Sequence, residues 1–375
     1  MKGDQFPSEH RAAGDERTGA AVHQMTDHPS VNHHLYFLTR SVTADGRLIF
    51  ASYRSGQAQL YMARFPDGEI VQLTDGPPVH GFSPHLSPDD ATLYFVRNTP
   101  EAAEVWALEM PSLRERRLAA FPGGQLGELA LSHDGRFAVS ALKQHGRYHL
   151  ALLSPDGGEP SLIHSQERTI IHPQFSPVDT TLIEFAGDPA PRMHLIRHDG
   201  SGLRLLYEHT NDEFVVHECF LTGHELAFTY WPHALRKIDL RSGEVSDVAR
   251  FTGWHIAPDH AGRRVLCDTA HPDVGLQIVD VATGARRTLC YPEASNGGTQ
   301  WQTSRYALAE DFAAAAARGA EDRGQALSWM EMKTDTVYGP QWTHPHPSWS
   351  PDERRVVFTS DRTGHAQVYV VDVQA

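Results

Sequence analysis

The 375-residue chain predicts an all-β fold, a seven-bladed β-propeller of four-stranded antiparallel blades with a helical insertion near 307–327. Three observations predict it. A turn motif recurs at a near-constant period, β-rich runs follow its copies, and one alanine-rich stretch falls where the period breaks.

The turn reads TADG at 43–46, SPDD at 87–90, SHDG at 132–135 and SPVD at 176–179. It continues as a degenerate LTGH at 221–224, then APDH at 257–260 and SPDE at 350–353. The first four steps are 44 or 45 residues and the fifth is 36. Runs such as RLIFASY, ATLYFVRN, TLIEFAG and RRVVFTSD follow the turns, often with a second run and turn behind them. β-Branched and aromatic runs between Asp-Gly and Pro-Asp turns argue antiparallel hairpins, and a period near 45 suits a four-stranded blade. Seven copies give seven blades. The early segment GAAVHQMTDHP is expected to supply the outer strand of the last blade and close the ring. The final step, 93 residues, is about two periods. Its stretch ALAEDFAAAAARGAEDRGQAL (307–327) has helix-forming composition, which favours an inserted helix over an eighth blade. Residues 1–18 read as a disordered tail, leaving a single propeller domain over 19–375.

Composition narrows the function. At 40% hydrophobic the chain can bury a large core, and its formal net charge of −14 argues against nucleic-acid or anionic-membrane partners. Cys219, Cys267 and Cys290 are odd in number and show no CxxC spacing, so they read as thiols of a reducing compartment. With no apolar leader and no run of membrane-spanning length, the expectation is a cytoplasmic protein. GxGxxG, Walker and GxSxG motifs are missing, against nucleotide binding and serine hydrolysis.

The 24 histidines exceed what packing requires. The strand before each turn is expected to be innermost, nearest the axis. His172, His217 and His346 lie four residues before their turns, His344 six, and His255 and His85 two. All are even offsets, and strand side chains alternate with period two, so these imidazoles are expected to face one axial region. Within Gln341-Trp-Thr-His344-Pro-His346-Pro, two imidazoles on one face of an extended strand lie about 7 Å apart at Cα, close enough to share an ion. Adding His255 from another blade and Gln341 makes a four-ligand set, although Gln341 needs a local irregularity to face the same way. Three imidazoles and one amide oxygen suggest zinc, iron or nickel on ligand grounds. His33, His34, His80 and His85 are candidates to line the cleft; Asp268 and His271 lie past the turn, where they are expected to be away from the metal.

The SPD repeats are similar to those of TolB-type, WD40-like propellers. GPQWTHPHPSWSPDERRVVFTSD (339–361) resembles the oligogalacturonate lyases, seven-bladed propeller enzymes of pectin breakdown, as do IHPQFSPVDTTLIEFAG, RMHLIRHDGSGLR, VHECF and WHIAPDHAGRRVLCDT. The resemblance covers about two-thirds of the chain. The stretch 98–165 diverges, and Pro340 stands where family members carry a basic residue. The resemblance implies Mn²⁺-dependent β-elimination on short anionic galacturonide chains. It implies His255, Gln341, His344 and His346 as metal ligands, His217 as the base for the C5 proton and Arg192 beside the substrate carboxylate. His172 and His85 are expected to contact substrate. The alternatives are a non-catalytic TolB-like propeller binding a protein or sugar, or a related metal-dependent hydrolase or epimerase of a sugar acid. A rise in the ultraviolet absorbance of an unsaturated product separates the lyase from these.

Overall fold

The computed structural model describes residues 1–66, 68–297, 310 and 340–374. Among them the strands form seven antiparallel sheets, each a meander from the axis outward. The first strands of blades 2 to 6 lie against one another around the axis. The first strands are Asn32–His34, His85–Leu86, Gln125–Leu131, Ile171–Phe175, Val215–Phe220, Gly253–Pro258 and Ser348–Trp349, opening blades 1 to 7. Apart from residue 310, the expected helix at 307–327 lies outside the described residues.

Ring closure follows the expectation and goes beyond it. Blade 7 takes Ala21–Gln24 as its fourth strand, paired in antiparallel register with Gln367–Asp372. Residues 1–18, expected to be disordered, add a fifth strand to two blades. Arg11–Gly14 pairs with Ala21–Gln24 at the rim of blade 7, and Gln5–Phe6 pairs with Ile70–Gln72 at the rim of blade 1. Glu9 anchors the segment between them, its carboxylate receiving two bonds from Arg54 at 2.9 and 3.2 Å.

The core is laid down in the seams. Buried hydrophobics of the described residues fall into seven clusters, and each bridges neighbouring blades. Burial of each large apolar side chain there contributes roughly 1.5–3 kcal/mol. Polar bonds cross the seams as well, such as Trp349 Nε1 of blade 7 donating to the Ala257 carbonyl of blade 6 at 2.9 Å.

The recurring turn has a physical cause. Its first residue, Ser or Thr, donates its hydroxyl to the Asp two positions on, at 2.6–2.7 Å in blades 1, 2, 3 and 7. The fourth residue adopts a left-handed backbone, at Gly46 (φ 84°), Asp90 (61°), Gly135 (71°) and Glu353 (56°). That conformation favours Gly and small polar residues. In blade 6 the left-handed fourth residue is Gly262 (φ 64°), and its N–H donates to the Asp259 carbonyl at 3.0 Å. The turn therefore begins at Asp259, two residues later than the APDH letters suggest. The Asp259 carboxylate accepts from the Arg263 N–H in the place of the missing Ser.

Candidate metal centre

With the turn reframed, His255 stands four residues before it, like His172, His217 and His346. Glu128, four before Ser132, occupies the same position in blade 3. Strict alternation is not what gathers these side chains. The inner strands break register between Leu126 and Leu129, Ile171 and Gln174, Val216 and Cys219, and Gly253 and Ile256. Each break is a bulge that contains the fourth residue before the turn, and bulges re-aim side chains next to sites. His172, His217 and His346 have φ of 53°, 57° and 46°, a left-handed strain that tight packing sustains.

His255, His344 and His346 bring ligand nitrogens within 4.8 Å of one another, and all three are buried. The Gln341 Oε1 lies 3.1 Å from His346 Nε2. A 3-10 turn over Gln341–Thr343 supplies the irregularity that Gln341 needs. His346 Nδ1 meanwhile faces the His344 carbonyl at 3.2 Å. A neutral imidazole has one N–H, so it cannot donate to both oxygens. A cation between His346 Nε2 and Gln341 Oε1 would use both lone pairs and leave Nδ1–H for the carbonyl. Burial, then the neighbouring histidines, hold His255 and His346 well below the ordinary histidine range, so both offer neutral nitrogens at pH 7. The donor set thus fits a divalent transition metal held by His255, Gln341, His344 and His346.

Asp268, expected away from the metal, instead contacts two of the candidate ligands. Its carboxylate accepts from His255 Nδ1 at 2.8 Å, the His255 backbone N–H at 2.7 Å and the His346 backbone N–H at 3.1 Å. This fixes the His255 tautomer and turns Nε2 inward, the usual outer-shell device of metal-binding histidines. Burial pushes the Asp268 carboxyl up to about 7, against the pull of these donors. His34 braces the other ligand, donating from Nε2 to the His346 carbonyl at 2.6 Å.

His217 joins the cluster, its ring centroid 4.3 Å from that of His255. Its Nδ1 donates to the Trp254 carbonyl at 2.7 Å, which leaves Nε2 with the lone pair. Burial, followed by His255 and His172, lowers its pKa well below 6.5, so it is neutral and able to accept a proton. The His172 centroid lies 6.1 Å from that of His217. Arg192 does not present a free guanidinium. It is 2% exposed, with Nε and Nη2 on the Glu218 carboxylate at 2.8 and 3.2 Å and Nη1 on Asp188 at 2.5 Å. His85 is not brought into the cluster either. Its turn does begin at Ser87, so it stands two residues before rather than four, and its Nδ1 bonds the Leu86 carbonyl at 3.0 Å.

Two aromatic residues that sequence reasoning did not single out lie among the histidines. Phe37, from the loop after the first strand of blade 1, has ring centroids at 5.4 Å from His217 and His255, 5.9 Å from His172 and 6.2 Å from His346. The Tyr36 hydroxyl lies 3.0 Å from His172 Nε2. No periodic signal marks this loop.

Known proteins share this architecture and sequence. A family model described as oligogalacturonate lyase matches residues 1–128. An oligogalacturonide lyase of Pectobacterium atrosepticum is 23% identical over 99% of this chain and 98% of its own. An oligogalacturonate lyase of Dickeya dadantii is 22% identical over 96% and 95%. The chain is thus similar to oligogalacturonate lyases over nearly its whole length. Among solved structures, an oligogalacturonate lyase in complex with manganese matches its fold with a TM-score of 0.81 at 21% identity, covering 100% of this chain and 98% of that one. The family alignments run through the divergent stretch 98–165, which here forms the outer half of blade 2 and most of blade 3.

Proposed function

We propose that this chain is a manganese-dependent polysaccharide lyase that cleaves short galacturonide chains by β-elimination. The observation that carries it is the buried set of three imidazoles and one amide oxygen, with a neutral His217 beside it. Relatives matched over nearly their whole length are named for this activity, and one solved relative is a complex with manganese.

In a uronide, loss of the C5 proton places negative charge on the adjacent carboxylate. His255, Gln341, His344 and His346 would hold manganese, which would supply the positive charge that makes this loss accessible. His217 takes the proton on Nε2, its Nδ1–H being committed to the Trp254 carbonyl. The resemblance assigns Arg192 to the substrate carboxylate, but its guanidinium already serves Glu218 and Asp188. Its proposed part is to hold Glu218, and through it His172, in place. His172 lines the cleft, and His85 has no assigned part. The substrate must enter against a formal net charge of −14, which makes local cations necessary. No described helix is long and apolar enough to cross a membrane, and the three cysteines are buried and free. A cytoplasmic site of action is part of the proposal.

The test is ultraviolet absorbance of the C4–C5 unsaturated product during incubation with di- and trigalacturonate. The signal should rise with manganese, vanish on chelation and return on reloading. No rise with any divalent metal would overturn the lyase assignment.

A further inference from the structure

We propose that His172, set between Glu128 and Glu218, is the acid that protonates the departing O4 oxygen, with Glu128 as its positioning residue. The proposal rests on the lyase reading above.

Glu128 stands four residues before its turn, the position that carries histidine in blades 4 to 7, and lies within the inner-strand bulge of blade 3. It is 3% exposed, and neither carboxylate oxygen has a hydrogen-bond partner. Buried carboxylates are almost always bonded, so an unbonded one calls for a role. His172 lies beside it, with Glu128 Oε1 3.8 Å from His172 Nε2. On the other side of the same ring, Nδ1 lies 4.0 Å from Glu218 Oε2. The imidazole thus sits between two carboxylates, one near each ring nitrogen. His217 has opposite surroundings: the Trp254 carbonyl fixes its tautomer, and the His255 ring lies against it.

Elimination needs a proton acceptor at C5 and a proton donor at O4. His217 Nε2 takes the C5 proton, and the C5–H electron pair becomes the C4–C5 double bond. The C4–O4 bond breaks with its electrons on O4, and the His172 Nε2 proton passes to that oxygen. One proton enters at His217 and one leaves at His172, and exchange with water restores both. The departing oxygen takes the place on Nε2 that the Tyr36 hydroxyl holds at 3.0 Å.

The test compares digalacturonate with a galacturonide bearing a nitrophenoxy group at C4, whose phenolate leaves without needing a proton. His172→Gln should lose about 100-fold or more in kcat on digalacturonate, the usual contribution of a general acid, yet stay within a few-fold of wild type on the aryl substrate. Glu128→Gln should show the same selectivity with a smaller loss, and His217→Gln should lose both activities. Manganese content reports an intact site in each variant, and if His172→Gln does not fold, the isosteric Glu128→Gln carries the comparison. Equal losses on the two substrates, or no loss, would overturn the acid role. A wild-type protein that eliminates neither substrate would instead refute the lyase reading beneath it.

Discussion

Replacing Asp268 with asparagine keeps the shape of the side chain and tests how the proposed metal ligands are held. Three N–H groups converge on the Asp268 carboxylate, from His255 Nδ1 and the backbones of His255 and His346. The amide offers one oxygen and brings in an NH₂ group that finds these donors facing it. Either one backbone N–H loses its acceptor, or His255 turns to its other tautomer and carries a hydrogen on the nitrogen meant for the metal. Loss of an outer-shell partner lowers metal affinity about 10- to 100-fold, or roughly 1.4–2.7 kcal/mol. The assay is a manganese titration of wild type and variant at one pH, by calorimetry or against a competing chelator. Far-ultraviolet circular dichroism checks that the propeller is intact. An intact variant that binds manganese with wild-type affinity would refute the claim that Asp268 sets the His255 tautomer.

Three further outcomes are expected. His344→Ala should retain no manganese after dialysis while keeping its circular dichroism, and retained metal would remove His344 from the ligand set. Arg192→Met leaves Glu218 buried without its guanidinium and should lower unfolding free energy by about 3–5 kcal/mol in urea; a loss below about 1 kcal/mol would mean the pair is not structural. Burial lowers His34 to about 3 and His85 to about 4 from an unfolded value of 6.5, so the folded state binds fewer protons below pH 6.5. The stability these two histidines contribute is present above pH 6.5 and lost as pH falls toward those values, by at most about 1.4 kcal/mol per pH unit for each. Thermal melts of metal-free protein between pH 7 and 5 check this, and a flat profile would contradict it.

Much of the ring could be read in the sequence because its turns are local chemistry. A Ser or Thr hydroxyl on the following Asp, with a left-handed fourth residue, needs no distant partner and so leaves a visible motif. Blade 6 misled for the same reason. Ala257-Pro-Asp-His matches the letters, whereas the hydrogen bonds choose Asp259 and Gly262, which returns His255 to the position of its fellows. His85 shared the even offset but not the bulge. Gln5–Phe6 and Arg11–Gly14 are too short to show a strand period, and they pair only because outer edges await them. Asp268 and Phe37 act through neighbours distant in sequence. Nothing local distinguishes that aspartate from one at a surface turn.

The blade shared between early and late segments bears on how the chain is made. Ala21–Gln24 leaves the ribosome long before its partner Gln367–Asp372 and must wait, an unpaired strand, through synthesis of more than six blades. His344 and His346 arrive only shortly before that partner. If His344 and His346 hold the metal with His255 as proposed, its capture becomes possible near the moment the ring can close, and binding there would lock the last blade to the sixth. Nascent chains halted before residue 344 would lack the locking ligands and still display the waiting strand, the state most exposed to chaperones and to aggregation.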